Sequence, residues 1–275
     1  MIHSIDYYSF TIPHEFPPVM SILEKNREAI EKFVKVCNLS EIFPVRPEEW
    51  TPETGARQYQ VRLRHSAIDI TLSYGSVNAH VFVECAGKSC NNLDAVNALD
   101  AIIKATCDRA TRIDFAVDIE TDADPISFSA FRNSPSFKSS GQIISPTGRT
   151  GYVGGRKSDR MARVYRYEPP HPRSKFLRVE AEYKHNAAKS AAKHYLEVGL
   201  VQASIDAHSP FQWLSAAWTP EVVSSSKIAY KAYRPDNAST VRWLYGDVIT
   251  ALSKAVKSGI VDFEEWLKKA REGLS

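Results

Sequence analysis

The sequence predicts an α+β protein with a largely antiparallel central sheet, flanking helices and a helical C-terminal part. Short segments with an apolar residue at every second position recur between residues 59 and 184 and indicate strands. Segments with apolar residues three and four positions apart lie over 18–38, over 92–106 and beyond residue 187, and they indicate helices. Short strands that follow one another directly favour antiparallel pairing, because parallel pairing needs a long crossover.

Each element follows from its local pattern, taken in chain order. The Pro- and Glu-containing segment 39–58 predicts irregular structure, and residues 121–150, rich in Ser, Pro, Asp and Gly, predict a loop with a short helix near 126–132. Strands are predicted at 59–64, 68–72, 79–85, 112–120, 151–153, 161–167 and 176–184, and helices at 18–38, 92–106, 187–207, 209–217 and, broken at Ser258-Gly259, 238–272. We therefore expect a mixed α/β domain over 1–186 and a mainly helical region over 187–275 that packs on it.

The composition is that of an ordinary soluble protein, with 43% hydrophobic and 24% charged residues. No apolar run approaches the roughly 18 residues that span a bilayer, so no membrane partner is expected. The first ten residues lack the basic-then-apolar arrangement of a signal peptide, which predicts a cytoplasmic location. The four cysteines are scattered and form no CxxC pair, which predicts reduced, buried thiols and argues against a zinc site.

Basic residues are concentrated in the middle of the chain, although the net charge is only +3. Residues 131–193 contain 14 Lys and Arg against 4 Asp and Glu, a balance of +10 that leaves −7 for the rest. A basic segment in an otherwise acidic chain indicates a local surface for a polyanion such as DNA. A solvated, arginine-rich loop would give the same count, but this segment also contains predicted strands that carry tyrosine and carboxylate side chains.

Tyrosine, arginine and carboxylate side chains share the polar faces of three predicted strands. Because side chains alternate across a strand, the polar residues of each strand lie opposite its apolar residues. If the apolar faces cover one core, the polar faces converge into an acid-rich site on one side of the sheet. These faces carry Asp114 and Asp118 on the first strand, Arg163, Tyr165 and Tyr167 on the second, and Arg178, Glu180, Glu182 and Lys184 on the third.

Oxygen ligands of this kind suit a hard divalent cation, Mg²⁺ or Mn²⁺. Glu180 and Glu182 lie roughly 6.5–7 Å apart along their strand, so both can reach one ion. Asp114 and Asp118 lie roughly 13 Å apart on the same basis. We therefore expect one of the two aspartates to bind the ion and the other to orient a lysine, an arginine or a water molecule, and which one does so stays open.

A tyrosine beside carboxylates and arginines indicates phosphoryl transfer at a nucleic-acid backbone. Attack by the phenolate on phosphorus would leave a covalent phosphotyrosine, which stores the bond for later strand joining. Because the pKa of a free tyrosine is near 10, we expect a metal ion and Arg163 or Arg178 to lower the pKa of Tyr165 by stabilising the anion. The competing interpretation is a non-catalytic DNA-binding protein, a repressor or replication accessory; carboxylates beside phosphate disfavour it, because they repel DNA unless a metal intervenes.

Several short motifs, taken in order, resemble the replication initiation factor family. That family comprises trans-acting Rep proteins of rolling-circle plasmids, relaxases of conjugative elements and replication proteins of filamentous phages. The motifs span residues 85–245, more than half of the chain, and their order and spacing carry the likeness. They are Gly87–Cys90, Arg112–Asp114 with Asp118, Thr150–Ser158, Arg163–Tyr165, Arg178–Glu182 and Trp243-Leu244.

The resemblance implies a metal-dependent, sequence-specific endonuclease that starts rolling-circle replication at a phage, plasmid or mobile-element origin. It would nick one DNA strand, single-stranded or in a supercoiled duplex, through a tyrosine, and the freed 3′ hydroxyl would prime synthesis in a bacterial host cell. The resemblance is also compatible with host helicase and polymerase as partners and with an oligomer. The residues it places in these roles are Tyr165 as nucleophile, Asp114, Glu180, Glu182 and Asp118 at the metal, and Arg156 and Lys157 at the DNA phosphates. We also expect Arg160, Arg163, Arg178 and Lys184 to contact the DNA.

The chain departs from the family pattern just after the tyrosine. The family commonly places an acidic residue and then a lysine there, whereas this chain has Arg166 and Tyr167. Tyr167 lies on the same strand face as Tyr165, so either tyrosine could be the nucleophile, and Tyr165 is favoured. The chain also lacks the His-hydrophobic-His metal motif of other rolling-circle nucleases, since His80-Val81-Phe82 does not supply it. No N-terminal helix-turn-helix is recognisable, so origin recognition is expected from the basic loops and the C-terminal helices.

Overall fold

The computed structural model describes residues 1–40, 46–55, 58–95, 98–125, 140–145, 148–167, 169, 174–211 and 228. Across these residues, ten strands form one sheet in the order β2-β3-β4-β5-β1-β6-β10-β9-β8-β7, and every neighbouring pair is antiparallel. The strands are β1 (Ile2–Pro13), β2 (Trp50–Thr54), β3 (Val61–His65), β4 (Thr71–Tyr74), β5 (His80–Ala86), β6 (Ala110–Glu120), β7 (Ser140–Ser145), β8 (Gly148–Val153), β9 (Arg160–Arg166) and β10 (Phe176–Lys184).

Helices cover one face of this sheet. Within the described ranges they are α1 (Ile22–Val36), α2 (Lys88–Ala95), α3 (Leu99–Thr106) and α4 (His185–His208), with short 3₁₀ turns at Pro47–Glu49, Cys107–Arg109 and Ser209–Phe211. Helix α1 begins at a capping box in which Ser21 and Glu24 satisfy each other's backbone N–H groups. Its buried stripe includes Ala29, Ile30 and Phe33, as the helical spacing of the sequence predicts.

Helix α4 packs on the strands that carry the candidate site. It contacts β6, β10 and β1, and the Tyr183 hydroxyl on β10 donates a hydrogen bond of 2.7 Å to the Ala207 carbonyl on α4. The helix is interrupted at Gly199, whose φ of 79° is open to glycine at little cost. Across that interruption His194 pairs with the buried Asp206 at 2.7 Å. The apolar sides of β6 and β10 are thus sealed against α4, and their polar sides face the other way.

The predicted α+β class with a large antiparallel sheet is confirmed. The strand over 176–184 and the helices over 18–38 and 187–207 are present, while the helix predicted over 92–106 is divided into α2 and α3. Strands β2 and β7 lie in segments for which irregular structure was predicted. The helices predicted at 126–132 and 238–272 lie outside the described residues. Of the helix predicted at 209–217, residues Ser209–Phe211 form a 3₁₀ turn and the rest lies outside the described residues.

Strand β1 was not predicted, although it lies in the middle of the sheet between β5 and β6. Its pairing with β6 shifts register between Ile5 and Tyr7 and again between Ser9 and Phe10. The first shift leaves Asp6 as an extra residue on β1 and changes the phase of the inward-facing positions, so the buried Ile5 does not alternate with Tyr8 and Phe10. At the second shift the extra residue is Thr111 on β6.

The contacts group Met1–Ala232 into one compact unit and Tyr233–Ser275 into another. Helix α4 therefore belongs to the same unit as the sheet, while the predicted division at residue 186 stays a prediction. In the part of the chain that the structure describes, no helix is long and apolar enough to cross a membrane. Cys37, Cys85 and Cys90 are buried free thiols, as expected, and Cys107 is partly exposed.

Candidate active site

Strands β6, β10 and β9 lie side by side and bring the predicted polar faces together. Asp114 on β6 is paired in register with Glu182 on β10, and Asp118 is paired with Arg178. On the other side of β10, Arg178 is paired with Tyr165 on β9. Residues in register lie on the same face of an antiparallel pair. The predicted convergence of tyrosine, arginine and carboxylates on one face is therefore present.

Arg178 and Asp118 form the innermost pair of this face. The guanidinium donates to both carboxylate oxygens of Asp118, at 2.7 and 2.8 Å, and to Oδ1 of Asp6 at 2.7 Å. The side chains of Arg178 and Asp118 are 4% and 2% exposed. Asp6 comes from the β1 bulge, so this triad ties three adjacent strands together across the polar face.

A second pair of carboxylates shares one arginine. Arg112 donates through Nε to Asp114 Oδ1 at 2.8 Å and through Nη2 to Oδ2, and the same Nη2 lies 2.7 Å from Glu182 Oε2. Lys184 Nζ forms an ion pair with the other oxygen of Glu182. Burial raises the pKa of Asp114 to about 7, against the opposing effect of Arg112.

Glu180 joins the tyrosine to an arginine. The Tyr165 hydroxyl donates to Glu180 Oε1 at 2.5 Å, and Arg163 Nε donates to Oε2. Burial raises the pKa of Glu180, and burial together with the Glu180 carboxylate raises the pKa of Tyr165. This direction is opposite to the lowering expected from Arg163 or Arg178, because the structure pairs both guanidinium groups with carboxylates. The carboxylate beside the phenol is placed to receive its proton.

Tyr167 adjoins Tyr165 on the same side of the sheet. Their hydroxyl oxygens are 3.5 Å apart, and the rings meet edge to face with centroids 5.4 Å apart. The Arg178 guanidinium carbon lies 5.6 Å from the centre of the Tyr167 ring, within the range of a cation–π contact. Both tyrosines are partly exposed to solvent.

The donor set does not fit a divalent ion as it is arranged. Asp118 is bound by Arg178, Asp114 and Glu182 share Arg112, and Glu180 is bound by Arg163 and Tyr165. Among the residues described, no three His, Cys, Asp or Glu side chains group closely enough to hold a metal ion. An ion would have to displace cationic side chains from at least two of these carboxylates, so Mg²⁺ or Mn²⁺ at this face stays a prediction.

The predicted DNA-contacting residues occupy two kinds of place. Arg156 and Lys157 are exposed in the β8–β9 turn, where Gly154 has a φ of 88° and a Cβ would lie 2.8 Å from the Arg160 carbonyl oxygen. Lys184 reaches this turn and donates to the Arg156 carbonyl at 2.7 Å. Arg163 is half-buried on the acidic face. Arg160 is also half-buried, but it is paired in register with Tyr183, so it lies on the face that α4 covers. The buried Arg178 is engaged by Asp6 and Asp118. The turn therefore supplies the exposed cations, whereas Arg178 stabilises the site through its buried contacts with Asp6 and Asp118.

Three residues of the site were not identified from the sequence as functional: Asp6, Tyr7 and Arg112. Asp6 and Tyr7 lie on β1, where the bulge hides the alternating pattern, so no periodic signal marked them. The Arg112 guanidinium lies 4.2 Å from the centre of the Tyr7 ring while it binds Asp114. Its position two residues before Asp114 on one strand is the signal that would have identified it.

The fold is similar to that of a solved protein described as a rolling circle replication initiator protein from Geobacillus stearothermophilus. The TM-score is 0.55 and the identity 17%, over 84% of this chain and 92% of that chain. The two proteins share a fold. No family model and no curated protein matches the chain in sequence. The shared fold agrees with the resemblance that the sequence motifs suggest. At 17% identity, the comparison establishes the similarity of fold alone.

Proposed function

We propose that this protein initiates rolling-circle replication by nicking one DNA strand at an origin and becoming covalently attached to it through Tyr165. The observation that carries the proposal is the Tyr165 hydroxyl, which donates to the buried carboxylate of Glu180 on a sheet shared with a replication initiator. The exposed cations Arg156 and Lys157 lie in the turn that leads into the tyrosine strand, and they support a role in binding the DNA backbone.

The chemistry begins with proton transfer from Tyr165 to Glu180. As Oη of Tyr165 forms a bond to the phosphorus, its proton passes to Oε1 of Glu180, and the bond from phosphorus to the 3′ oxygen breaks. The products are a 5′-phosphotyrosine and a 3′ oxygen that takes a proton from solvent. A carboxylate whose pKa is raised by burial is a stronger base than a free one, which suits this transfer. Arg163 holds Glu180 in position through its second oxygen.

A divalent ion is a separate proposal, because no step above passes through one. If Mg²⁺ or Mn²⁺ is required, Asp114, Glu180 and Glu182 remain the proposed ligands, and Arg112 and Arg163 would have to leave them. Titration of metal-free protein with Mn²⁺, read as nicking activity and as metal bound per protein, tests this directly. Host helicase and polymerase as partners, an oligomeric state and the kind of host element also stay proposals.

The function is tested with a supercoiled plasmid library that carries candidate origins from the host element. Wild type is expected to give nicked circles with protein attached to the 5′ end, resistant to detergent. Tyr165→Phe should give none, and Glu180→Gln, which still accepts the phenol hydrogen bond but is a poor base, should be slower by about 10²–10⁴-fold. Specific binding without any covalent product, with either metal present, would instead favour a non-catalytic DNA-binding protein.

A further inference from the structure

The second tyrosine on β9 has no role in the chemistry above, although it lies next to the nucleophile. Tyr167 presents its hydroxyl oxygen 3.5 Å from that of Tyr165, which is the outer limit of a hydrogen bond. A phenol has a single hydrogen to donate. The hydrogen of Tyr165 is directed to Glu180, so any bond between the two hydroxyls must be donated by Tyr167.

We propose that Tyr167 is a positioning residue for the nicking reaction, whose hydroxyl donates to Oη of Tyr165 and steadies the negative charge that develops there. The proposal rests on the proposed function, since it assigns a role within the same site. Such a donor adds little while the phenol is neutral and more as the proton leaves, because hydrogen bonds to charged oxygens are shorter and stronger. A group of this kind acts on the rate more than on substrate affinity.

The packing around Tyr167 fixes the direction of its hydroxyl. Its ring stands edge to face against the Tyr165 ring at an interplanar angle of 79°. The guanidinium carbon of Arg178 lies over the Tyr167 ring, 5.6 Å from the ring centre. That guanidinium is itself held by Asp118 and Asp6. A chain of contacts therefore runs from the buried triad of Arg178, Asp118 and Asp6 through Tyr167 and Tyr165 to Glu180. Through these contacts the triad supports the position of the nucleophile.

The test compares single-turnover rates of covalent attachment to an oligonucleotide that carries the nick site. Tyr167→Phe keeps the ring and its contacts and removes only the hydroxyl. It should still attach through Tyr165, at a rate roughly 2- to 10-fold lower, as the loss of one hydrogen bond predicts. DNA affinity should be unchanged, so the loss should appear in the rate at saturating DNA and not in the DNA concentration that gives half of that rate.

Tyr183→Phe is the matched control. It removes a hydroxyl from β10 that bonds the Ala207 carbonyl on the opposite, helix-covered face. It should lower the melting temperature without moving the rate at saturating DNA or the DNA affinity. Replacement of Tyr167 by 3-fluorotyrosine, which retains a hydroxyl and makes it a stronger donor, should restore the rate at about pH 7.

An unchanged rate at saturating DNA in a folded Tyr167→Phe variant would overturn the positioning role and leave the proposed function intact. Loss of attachment in Tyr167→Phe together with its retention in Tyr165→Phe would also overturn it, because Tyr167 would then be the nucleophile. Absence of attachment in the wild-type protein would overturn the proposed function, and the positioning role with it.

Discussion

Removal of the Arg178 guanidinium is expected to lower the free energy of unfolding by about 3–5 kcal/mol, the usual cost of stranding a buried charge. The guanidinium makes two hydrogen bonds to Asp118 and one to Asp6. The Asp118 side chain is 2% exposed and that of Asp6 is 20% exposed. Water can therefore replace the lost donor at Asp6 but not at Asp118, which makes Asp118 the main source of the loss. Since the total free energy of unfolding of a folded domain is only about 5–15 kcal/mol, this loss would be a large fraction of the stability.

Urea denaturation at neutral pH measures this loss in Arg178→Met, which keeps most of the side-chain length. Arg27→Met is the matched control, because Arg27 pairs with Glu31 one helical turn away and the two side chains are 74% and 59% exposed. That exposed pair should contribute less than about 0.5 kcal/mol. The double variant Arg178→Met/Asp118→Leu removes both members of the buried pair and should recover part of the loss.

Equal stability of Arg178→Met and Arg27→Met would refute this reasoning, since it would mean that the charge on Asp118 needs no partner. A double variant less stable than Arg178→Met would contradict it in another way. In that case the loss would come from packing of the arginine stem and not from the stranded carboxylate.

Three further predictions concern stability. Burial raises the pKa of Asp114 to about 7, against about 3.9 in the unfolded chain, so the folded state keeps a proton that the unfolded state releases. The free energy of unfolding should therefore fall by up to about 1.4 kcal/mol per pH unit between about pH 4 and 7. Urea denaturation of Asp114→Asn across that range should show a shallower fall, and a slope identical to that of the wild type would contradict this expectation. In Gly154→Ala, φ would be 88° and the new Cβ would lie 2.8 Å from a carbonyl oxygen, so the free energy of unfolding should fall by more than the roughly 1–2 kcal/mol that backbone strain alone costs. Gly87→Ala is the comparison, because φ there is 44° and nothing lies within 4 Å of the new Cβ. A smaller loss of stability in Gly154→Ala than in Gly87→Ala would argue against the clash. Ser21→Ala removes the capping box of α1 and should cost about 1 kcal/mol, seen as a lower urea midpoint, while an unchanged midpoint would show that the helix end is held by other contacts.

The alternating strands of the candidate site could be predicted because each of them is regular. Strand β10 matches the predicted 176–184, and its faces divide as expected, with Tyr183 against α4 and Glu180 and Glu182 on the polar side. Apolar and polar residues alternate along β6 in the same way, and its register with β10 puts Asp114 and Asp118 on the polar side. Where a strand keeps one register, the sequence pattern alone identifies the face on which each side chain lies.

The remaining parts depend on contacts that a local pattern does not contain. The bulge at Asp6 changes the phase of the hydrophobic positions of strand β1, and the strand was not recognised. The carboxylates were predicted as metal ligands, but the sequence cannot show that Arg112 reaches both Asp114 and Glu182 across two strands. The same holds for Arg178, whose partner Asp6 is far from it in sequence. Pairing over such separations is decided by sheet order, which appears only in the folded chain.

The measurement that tests the central claim most directly is the location of the phosphotyrosine in the covalent complex with DNA. Trypsin cleaves after Arg163 and Arg166, so the two tyrosines fall in different peptides, Val164–Arg166 and the peptide that begins at Tyr167. After nuclease digestion, mass spectrometry is expected to find the nucleotide remnant on Val164–Arg166 alone. A remnant on the peptide that begins at Tyr167, or no remnant on either peptide from an active preparation, would contradict the assignment of Tyr165 as the nucleophile.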